Sequence, residues 1–344
     1  MSRIAIVGAG VAGLAAAWSL RSHPVETTIF EKSRGYAGRA ATRGRYGVRY
    51  DHGANFIQPD GGRVRDLLTD ALPSDDLVSI GRPVWTFDGD GEISPNGEEP
   101  AAMWTYRNGI STVGKLLARR GSAMIHTETR IESLERREGT WLVDSEEDDR
   151  YGPFDAVLLT PPAPQSADLL KRSGMDADLR EELVDGLQAA RYTAQFTVVL
   201  GYEREIPRSG DYYGLLGTDE DHPIAWIGFE QDKPGHVPDG HSVLIIQTAP
   251  KWTAARVEAD PDTVMPDVKE AAAEVLGADL TRPSWYDTQR WRYALPTQPA
   301  DTDKLAAGRT AGLFFAGDFV AESGRVDRSI ESGLRAAGEL REWT

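Results

Sequence analysis

The sequence predicts a mixed α/β fold organised around a parallel sheet, and three observations predict it. Residues 4–7 (Ile-Ala-Ile-Val) form a short apolar run bounded by glycine, as a strand buried on both faces would. Gly8-Ala9-Gly10-Val11-Ala12-Gly13 follows at once and opens a helical stretch, residues 14–21. Residues 27–30 are a second buried strand, ending at Glu31. Together they make one βαβ unit of the Rossmann type, the kind that binds dinucleotides.

Each glycine of the fingerprint has its own task. Gly8 permits the tight turn out of the strand, Gly10 lets the backbone approach a pyrophosphate, and Gly13 permits close helix–sheet packing. The helix N-terminus offers N–H groups and a partial positive charge to phosphates. Val11 and Ala12 lie in that first turn. Glu31 is placed to accept both hydroxyls of an adenosine ribose, with Lys32 beside it.

The rest of the chain alternates in the same manner. Residues 32–47 are rich in Gly and Arg and read as a structured loop. Residues 64–72 read as helix, and 82–100 as hairpins with a tip at Asp88-Gly89-Asp90-Gly91. Residues 108–111 read as a turn capping the helix Thr112–Arg120. Strands are expected at 127–134 and 140–144 around a Glu138-Gly139 turn, and at 156–160 before Pro161-Pro162. Residues 167–190 read as mostly helical, 196–248 as a second sheet, Pro261–Leu276 as helix, 313–316 as a last buried strand and 329–341 as a closing helix. The acidic run 146–150 reads as a solvated hairpin tip. No repeat, low-complexity tract or flexible linker is visible.

Composition narrows the possibilities. A length of 344 residues suits two domains, or one domain with a second inserted. There is no cysteine, which excludes disulfides, thiolate metal sites, a redox dithiol and a cysteinyl flavin link. A net charge of −16 and a pI near 4.9 disfavour nucleic acid and anionic membranes as partners. The arginine-rich, lysine-poor balance fits a salt-adapted cytoplasm and a GC-rich genome equally well. No run approaches the ~18 uncharged apolar residues of a membrane span, and the first residues do not read as a signal peptide. The expected location is cytoplasmic; oligomeric state is not legible.

Two features favour FAD over NAD, bound without a covalent link. Gly38-Arg39 follows Glu31 closely, so backbone and guanidinium can approach the cofactor phosphates. Near the other end, the strand 313–316 delivers Gly317-Asp318, a carboxylate suited to holding a ribityl chain. A plain NAD dehydrogenase needs no such second contribution.

In this order the motifs resemble the flavin amine oxidase superfamily, and within it the renalase branch. The matching stretches are residues 4–13, 31–35 through Gly38-Arg39, 51–56 (Asp-His-Gly-Ala-Asn-Phe), 160–165, 290–293 (Arg-Trp-Arg-Tyr) and 316–333. The resemblance implies a p-hydroxybenzoate-hydroxylase-like pair of domains: residues 1–72, 104–164 and 283–344 for FAD, and 73–103 and 165–282 as a mixed-sheet substrate domain. It further implies that Ala54, Asn55 and Phe56 run along the flavin ring, and that Ile131 touches adenine. Gly317, Asp318 and Val326 would hold the ribityl chain and pyrimidine edge, and a helix starting near Ser329 would aim its positive end at the ring. Three departures stand out: Ala37-Gly38 replaces a Gly-Gly pair, Arg328-Ser329 replaces Gly-Ala, and Asn55 replaces Gln.

No catalytic acid, base, nucleophile or metal cluster is legible. Six histidines (His23, His52, His126, His222, His236, His241) are scattered and read as surface or turn residues, although His52 lies close enough to the flavin motif for a histidyl link to be conceivable. Hydride transfer from a dihydropyridine needs no protein base, because the donor ring becomes aromatic as the hydride leaves. The renalase resemblance implies this reaction: NAD(P)H isomers oxidised through flavin, with dioxygen as acceptor and hydrogen peroxide released. Two alternatives remain, a flavin amine oxidase acting on a small amine and a flavin-binding module without turnover. Arg325 stands where amine oxidases place an aromatic ring beside the amine, and a cation there would favour an anionic nucleotide. Asn55, Trp226, Trp291 and Arg325 are the candidate substrate-pocket residues; Trp252 reads as a structural helix-start residue.

Overall fold

The computed structural model describes residues 1–59, 61–97, 102–321 and 323–344. Its centre is a five-stranded sheet in the spatial order Leu313–Phe315, Ala156–Leu159, Ser2–Val7, Val25–Phe30 and Met124–His126, every pair parallel. A parallel sheet needs cover on both faces. On one face lie the helices Val11–Leu20, Thr112–Arg120 and Val326–Trp343, sharing a core of Ile4, Ile6, Leu14, Val113, Leu117, Ile330 and Leu334. On the other lie the antiparallel sheet Ile131–Arg137, Thr140–Ser145 and Arg150–Phe154 and the helices Ala163–Lys171 and Ala177–Gln188, around Val7, Phe30, Trp141 and Leu183.

The two ends of the chain meet here. Leu313–Phe315 pairs with Ala156–Leu159, which pairs with the first strand. Val326–Trp343 packs on Val11–Leu20 so closely that a Cβ at Gly333 would lie 2.1 Å from the Ala12 carbonyl oxygen. Only glycine permits that approach.

A seven-stranded sheet forms the second layer, in the order Trp285–Gln298, Arg191–Tyr202, Ser242–Thr248, Ile224–Phe229, Gly214–Gly217, Val84–Phe87 and Ile93–Pro95. Its pairs are antiparallel except Gly214–Gly217 with Val84–Phe87, so it is mixed. Pro261–Leu276 covers one face, packing Val268 and Ala272 against Leu200, Phe229 and Ile246. The opposite face turns toward the parallel sheet. Trp285–Gln298 lies within this second sheet, whereas the sequence reading placed residues 283–344 with the cofactor part. A division that follows the sheets would move that boundary to about residue 299. The reason is that the strand's pairing partner is Arg191–Tyr202, a choice its own composition does not announce.

Several boundaries differ from the sequence expectations. The last helix begins at Val326, three residues before Ser329. The expected helix 167–190 is two helices, split where Gly174 donates to the Leu134 carbonyl of the small sheet. Residues 127–130 are not strand, and the strand begins at Ile131. Ser111 precedes its helix but makes no side-chain cap; the turn rests on Gly109 at φ 90°. The hairpin expected within 82–100 is present as Val84–Phe87 and Ile93–Pro95, and residues 98–100 lie outside the described residues.

Candidate active site

The fingerprint glycines separate by what surrounds them. An added Cβ at Gly8 would lie 2.4 Å from Thr160 Oγ1, and one at Gly13 would lie 2.2 Å from the Gly8 carbonyl oxygen; at Gly10 it would meet nothing within 4 Å. Gly8 and Gly13 are small because protein fills the space around them. Gly10 borders open space at the start of a helix with no side-chain cap, and its surroundings fit a diphosphate on the free N–H groups of Val11, Ala12 and Gly13.

Glu31 lies at the carboxyl end of the neighbouring strand and is nearly buried. Its carboxylate accepts from the backbone N–H of Ala9 and of Ser33, both at 2.8 Å. Each oxygen keeps acceptor capacity for a ribose hydroxyl. Ile131 is buried nearby with Val7 and Phe30. Lys32 donates to Gln165 at 3.2 Å; burial and the charge of Arg130 lower its pKa from the ordinary lysine value.

Ala37 resolves one departure noted in the sequence. It adopts the left-handed conformation, φ 76°, that a glycine would take. Its methyl is accommodated because Gly114 has none: a Cβ at Gly114 would lie 2.7 Å from that of Ala37. Ala37 also donates to the Ala9 carbonyl oxygen at 2.9 Å, tying this loop to the fingerprint.

Arg39 continues the line toward the C-terminal motif. Its Nη1 donates to Asp318 at 2.7 Å and to the Tyr293 carbonyl oxygen at 2.8 Å. Tyr192 donates to the other Asp318 oxygen at 3.0 Å, and burial together with the Asp318 charge raises the tyrosine pKa so that it stays protonated. Gly317, at φ 135°, is held by Ser332, whose hydroxyl accepts from its N–H. Glu31, Gly10, Gly38, Arg39 and Asp318 therefore form a continuous track along the carboxyl ends of the parallel strands, where open α/β sheets bind ligands.

From Arg39 the chain folds so that Ala54 donates to its carbonyl oxygen at 2.9 Å. This places His52–Phe56 against the free face of the second sheet. Trp291 donates to the His52 carbonyl oxygen at 3.0 Å and stacks on the imidazole, with ring centroids 5.4 Å apart. Gln247 donates to the Gly53 carbonyl oxygen at 2.8 Å and accepts from Asn55 at 3.1 Å. Phe56 packs against Trp226 at 6.0 Å. Asn55, Trp226 and Trp291 thus meet on one surface. Arg325 does not join them: it bonds the Gln58 carbonyl oxygen and pairs with Asp327 at 3.2 Å, at the start of the last helix beside buried Val326.

Behind this segment lies a feature the sequence did not disclose. Asp51, Glu230, Lys233 and His236 have fully buried side chains. Lys233 Nζ donates to Asp51 at 2.9 Å and forms an ion pair with Glu230 at 2.6 Å. His236 faces the Glu230 carboxylate at 2.8 Å and the Tyr106 carbonyl oxygen at 2.9 Å. Both partners only accept, so both ring nitrogens carry protons. Burial works against each charge, but the neighbours outweigh it: Glu230 raises His236, Asp51 and Glu230 raise Lys233, and Lys233 and His236 lower Asp51. Asp51, Glu230 and His236 have the spacing of a metal site, yet the Lys233 ammonium bonds both carboxylates and supplies the positive charge. His52 behaves oppositely. Burial and the charge of Arg43 lower it to about 4, so it is neutral near pH 7. His52 and His236 are therefore core residues, not the surface residues the sequence suggested.

Comparison with known proteins agrees with this geometry. Residues 6–71 match the NAD(P)-binding Rossmann-like domain, and residues 91–341 match the pattern of flavin containing amine oxidoreductases. The chain belongs to the flavin containing amine oxidoreductase family. The family's description joins a flavin to oxidoreductase chemistry. A stretch of 66 residues is 38% identical to mitochondrial protoporphyrinogen oxidase of Nicotiana tabacum, covering 19% of this chain and 13% of that one. A stretch of 68 residues is 40% identical to protoporphyrinogen oxidase 2 of Arabidopsis thaliana, covering 20% and 13%. Among solved structures, a protoporphyrinogen oxidase-like protein of Exiguobacterium sp. 255-15 superposes with a TM-score of 0.81 at 15% identity over 99% of both chains. Reduced UDP-galactopyranose mutase gives 0.81 at 12% identity over 100% and 96%. Putrescine oxidase bound to putrescine gives 0.75 at 15% identity over 99% of both. At such identities these likenesses establish the fold alone. Among the described residues, no helix is long and apolar enough to cross a membrane.

Proposed function

We propose that this enzyme oxidises a dihydronicotinamide, in the manner of the renalase branch, by hydride transfer to FAD with dioxygen as the final acceptor. The observation that supports this reading is the chemistry of the surface facing His52–Phe56. Its end nearest Asn55 is formed by Gln195, Gln247, Thr197, Trp226 and Trp291, all uncharged. The charged groups behind it are locked in the Asp51–Lys233–Glu230–His236 cluster. Among the described residues the one proton acceptor beside this surface is His52, a weak base with its pKa lowered to about 4, whereas a dihydropyridine needs only a planar slot and close approach to the acceptor atom.

In this reading Glu31 holds the adenosine ribose, and the N–H groups of Val11–Gly13 with Arg39 hold the diphosphate. Asp318 faces the ribityl chain, and Ala54, Asn55 and Phe56 flank the ring. FAD held there would supply the hydride-accepting redox chemistry, with dioxygen taking the two electrons to give hydrogen peroxide. The protein's part is to orient the donor ring on the surface that carries Trp226 and Trp291 and to exclude water with buried aromatic side chains. A small amine is the competing donor. Against it stands the lack, among the described residues, of a free carboxylate on this surface that could guide a protonated amine.

The holoenzyme should be mixed anaerobically with dihydronicotinamide isomers and with small amines while the flavin absorbance is followed. Bleaching by the isomers, followed by stoichiometric peroxide on admission of oxygen, is the expected result. Bleaching by amines alone would reject the proposal.

A further inference from the structure

The strand Trp285–Gln298 carries the motif Arg290-Trp291-Arg292-Tyr293, and its pairing with Arg191–Tyr202 breaks twice just beyond Trp291. Gln195 pairs with Trp291 and Thr193 with Leu295, so Arg292, Tyr293 and Ala294 stand against Ala194 alone. Tyr192 then pairs with Pro296 and Arg191 with Gln298, which leaves Thr297 over as well. Extra residues on one strand of a pair make bulges, which take backbone groups out of the ladder and re-aim side chains.

Both breaks lead to the same ion pair. The carbonyl oxygens of Tyr293 and Ala294, inside the first bulge, accept from Arg39 Nη1 at 2.8 and 3.4 Å. The same nitrogen donates to Asp318 Oδ2 at 2.7 Å. Tyr192, beside the second break, donates its hydroxyl to Asp318 Oδ1 at 3.0 Å. Its ring meets that of Tyr293 edge-on, with centroids 5.6 Å apart. Asp318 follows the last strand of the parallel sheet, whereas Tyr192 and Tyr293 belong to the second sheet. The two donors take different oxygens of one buried carboxylate, so it cannot turn about its Cβ–Cγ bond without losing both. A carboxylate has about four lone-pair sites; one donor on each oxygen leaves acceptor capacity for hydroxyl groups.

We infer that Tyr192 is a positioning residue of the cofactor site. Its hydroxyl fixes the rotation of the Asp318 carboxylate toward the ribityl hydroxyls of FAD, and the bulged strand pair sets both Tyr192 and Arg39 in place to do so. This deepens the cofactor reading above and rests on it for the position of the ribityl chain. Tyr192 acts through Asp318, so its effect is confined to ligands that reach that carboxylate.

The full-length apoprotein is titrated calorimetrically with FAD and with ADP, which has the adenosine and both phosphates of FAD but no ribityl chain. Tyr192→Phe keeps the ring against Tyr293 and removes only the hydroxyl. It should weaken FAD about tenfold, the usual value of a hydrogen bond, and leave the ADP Kd within about twofold of the parent. Asp318→Ala should weaken FAD at least as much. Tyr192→Phe added to Asp318→Ala should cause no further loss, because the hydroxyl then has no carboxylate to hold. Equal losses of FAD and ADP would make Tyr192 a purely structural residue and overturn the inference. So would a Tyr192→Phe effect of the same size with and without the Asp318 carboxylate. If Asp318→Ala weakens FAD and Tyr192→Phe does not, the cofactor reading stands and the role of Tyr192 falls. If Asp318→Ala itself leaves FAD binding unchanged, the reading of that carboxylate fails, and the inference with it.

Discussion

Replacing Lys233 by Met removes the charge at the centre of the buried cluster while keeping an unbranched side chain of similar length. In the parent protein two cations face two anions, and every side chain is fully buried. The variant leaves Asp51 and Glu230 with His236 as their one cation. Breaking a buried ion pair from one side costs about 3–5 kcal/mol. With a urea m-value of about 3 kcal/mol/M, the unfolding midpoint should fall by about 1–1.7 M. The assay is urea unfolding followed by tryptophan fluorescence at pH 7, in saturating FAD so that cofactor loss does not contribute. Adding Asp51→Asn removes one carboxylate and restores charge balance. The double variant should therefore be less destabilised than the two single effects summed, by about 1–3 kcal/mol. A Lys233→Met midpoint within about 0.2 M of the parent, or strict additivity in the double variant, would refute the view that this lysine is the hub of the cluster.

Glu31→Gln should weaken FAD binding about tenfold to a hundredfold, since hydrogen bonds to a charged group contribute about 1.5–3 kcal/mol; fluorescence quenching of added FAD measures it. Gly114→Ala should destabilise the fold by about 1–3 kcal/mol through overpacking against Ala37, and Ala37→Gly in the same chain should recover part of the loss in thermal unfolding. Acid should destabilise the protein through His52. Its folded pKa of about 4 lies below the ordinary 6.5, so between those values the unfolded chain binds the extra proton, and stability should drop by roughly 3 kcal/mol as pH falls through that window. His236 has the opposite sign. Its pKa is raised, so its contribution is complete below 6.5 and is lost as pH rises through the folded value. His236→Gln should flatten the alkaline side of a stability–pH curve, and His52→Gln the acid side.

How much of this was legible depends on the distance over which each feature is decided. The strand–glycine turn–helix unit ending at Glu31 was legible because every part lies within some thirty consecutive residues. Each glycine there answers to a local steric demand. Pro261–Leu276 was read with its observed ends, since Asp260 caps its start and Gly277 ends it in a left-handed conformation. The closing helix was less clear. Gly324 and Arg325 gave no start signal, and Val326, where the helix begins, is buried in the core shared with the first helix.

The surface facing His52–Phe56 was legible only in part: Trp226 and Trp291 were named from the sequence, its glutamines were not. Gln195 and Gln247 sit in apolar strands where a lone amide reads as an irregularity. Their meaning comes from the register that sets Trp226, Gln247 and Thr197 side by side. The Asp51–Lys233–Glu230–His236 cluster is harder still, because Asp51 lies 179 residues or more from the other three and each looks solvated on its own. The sequence by itself determined the dinucleotide unit and the flavin family, because local backbone geometry and short motifs suffice for those. Tertiary structure alone decided which polar groups lose water together, since desolvation depends on what the distant chain places on top of them.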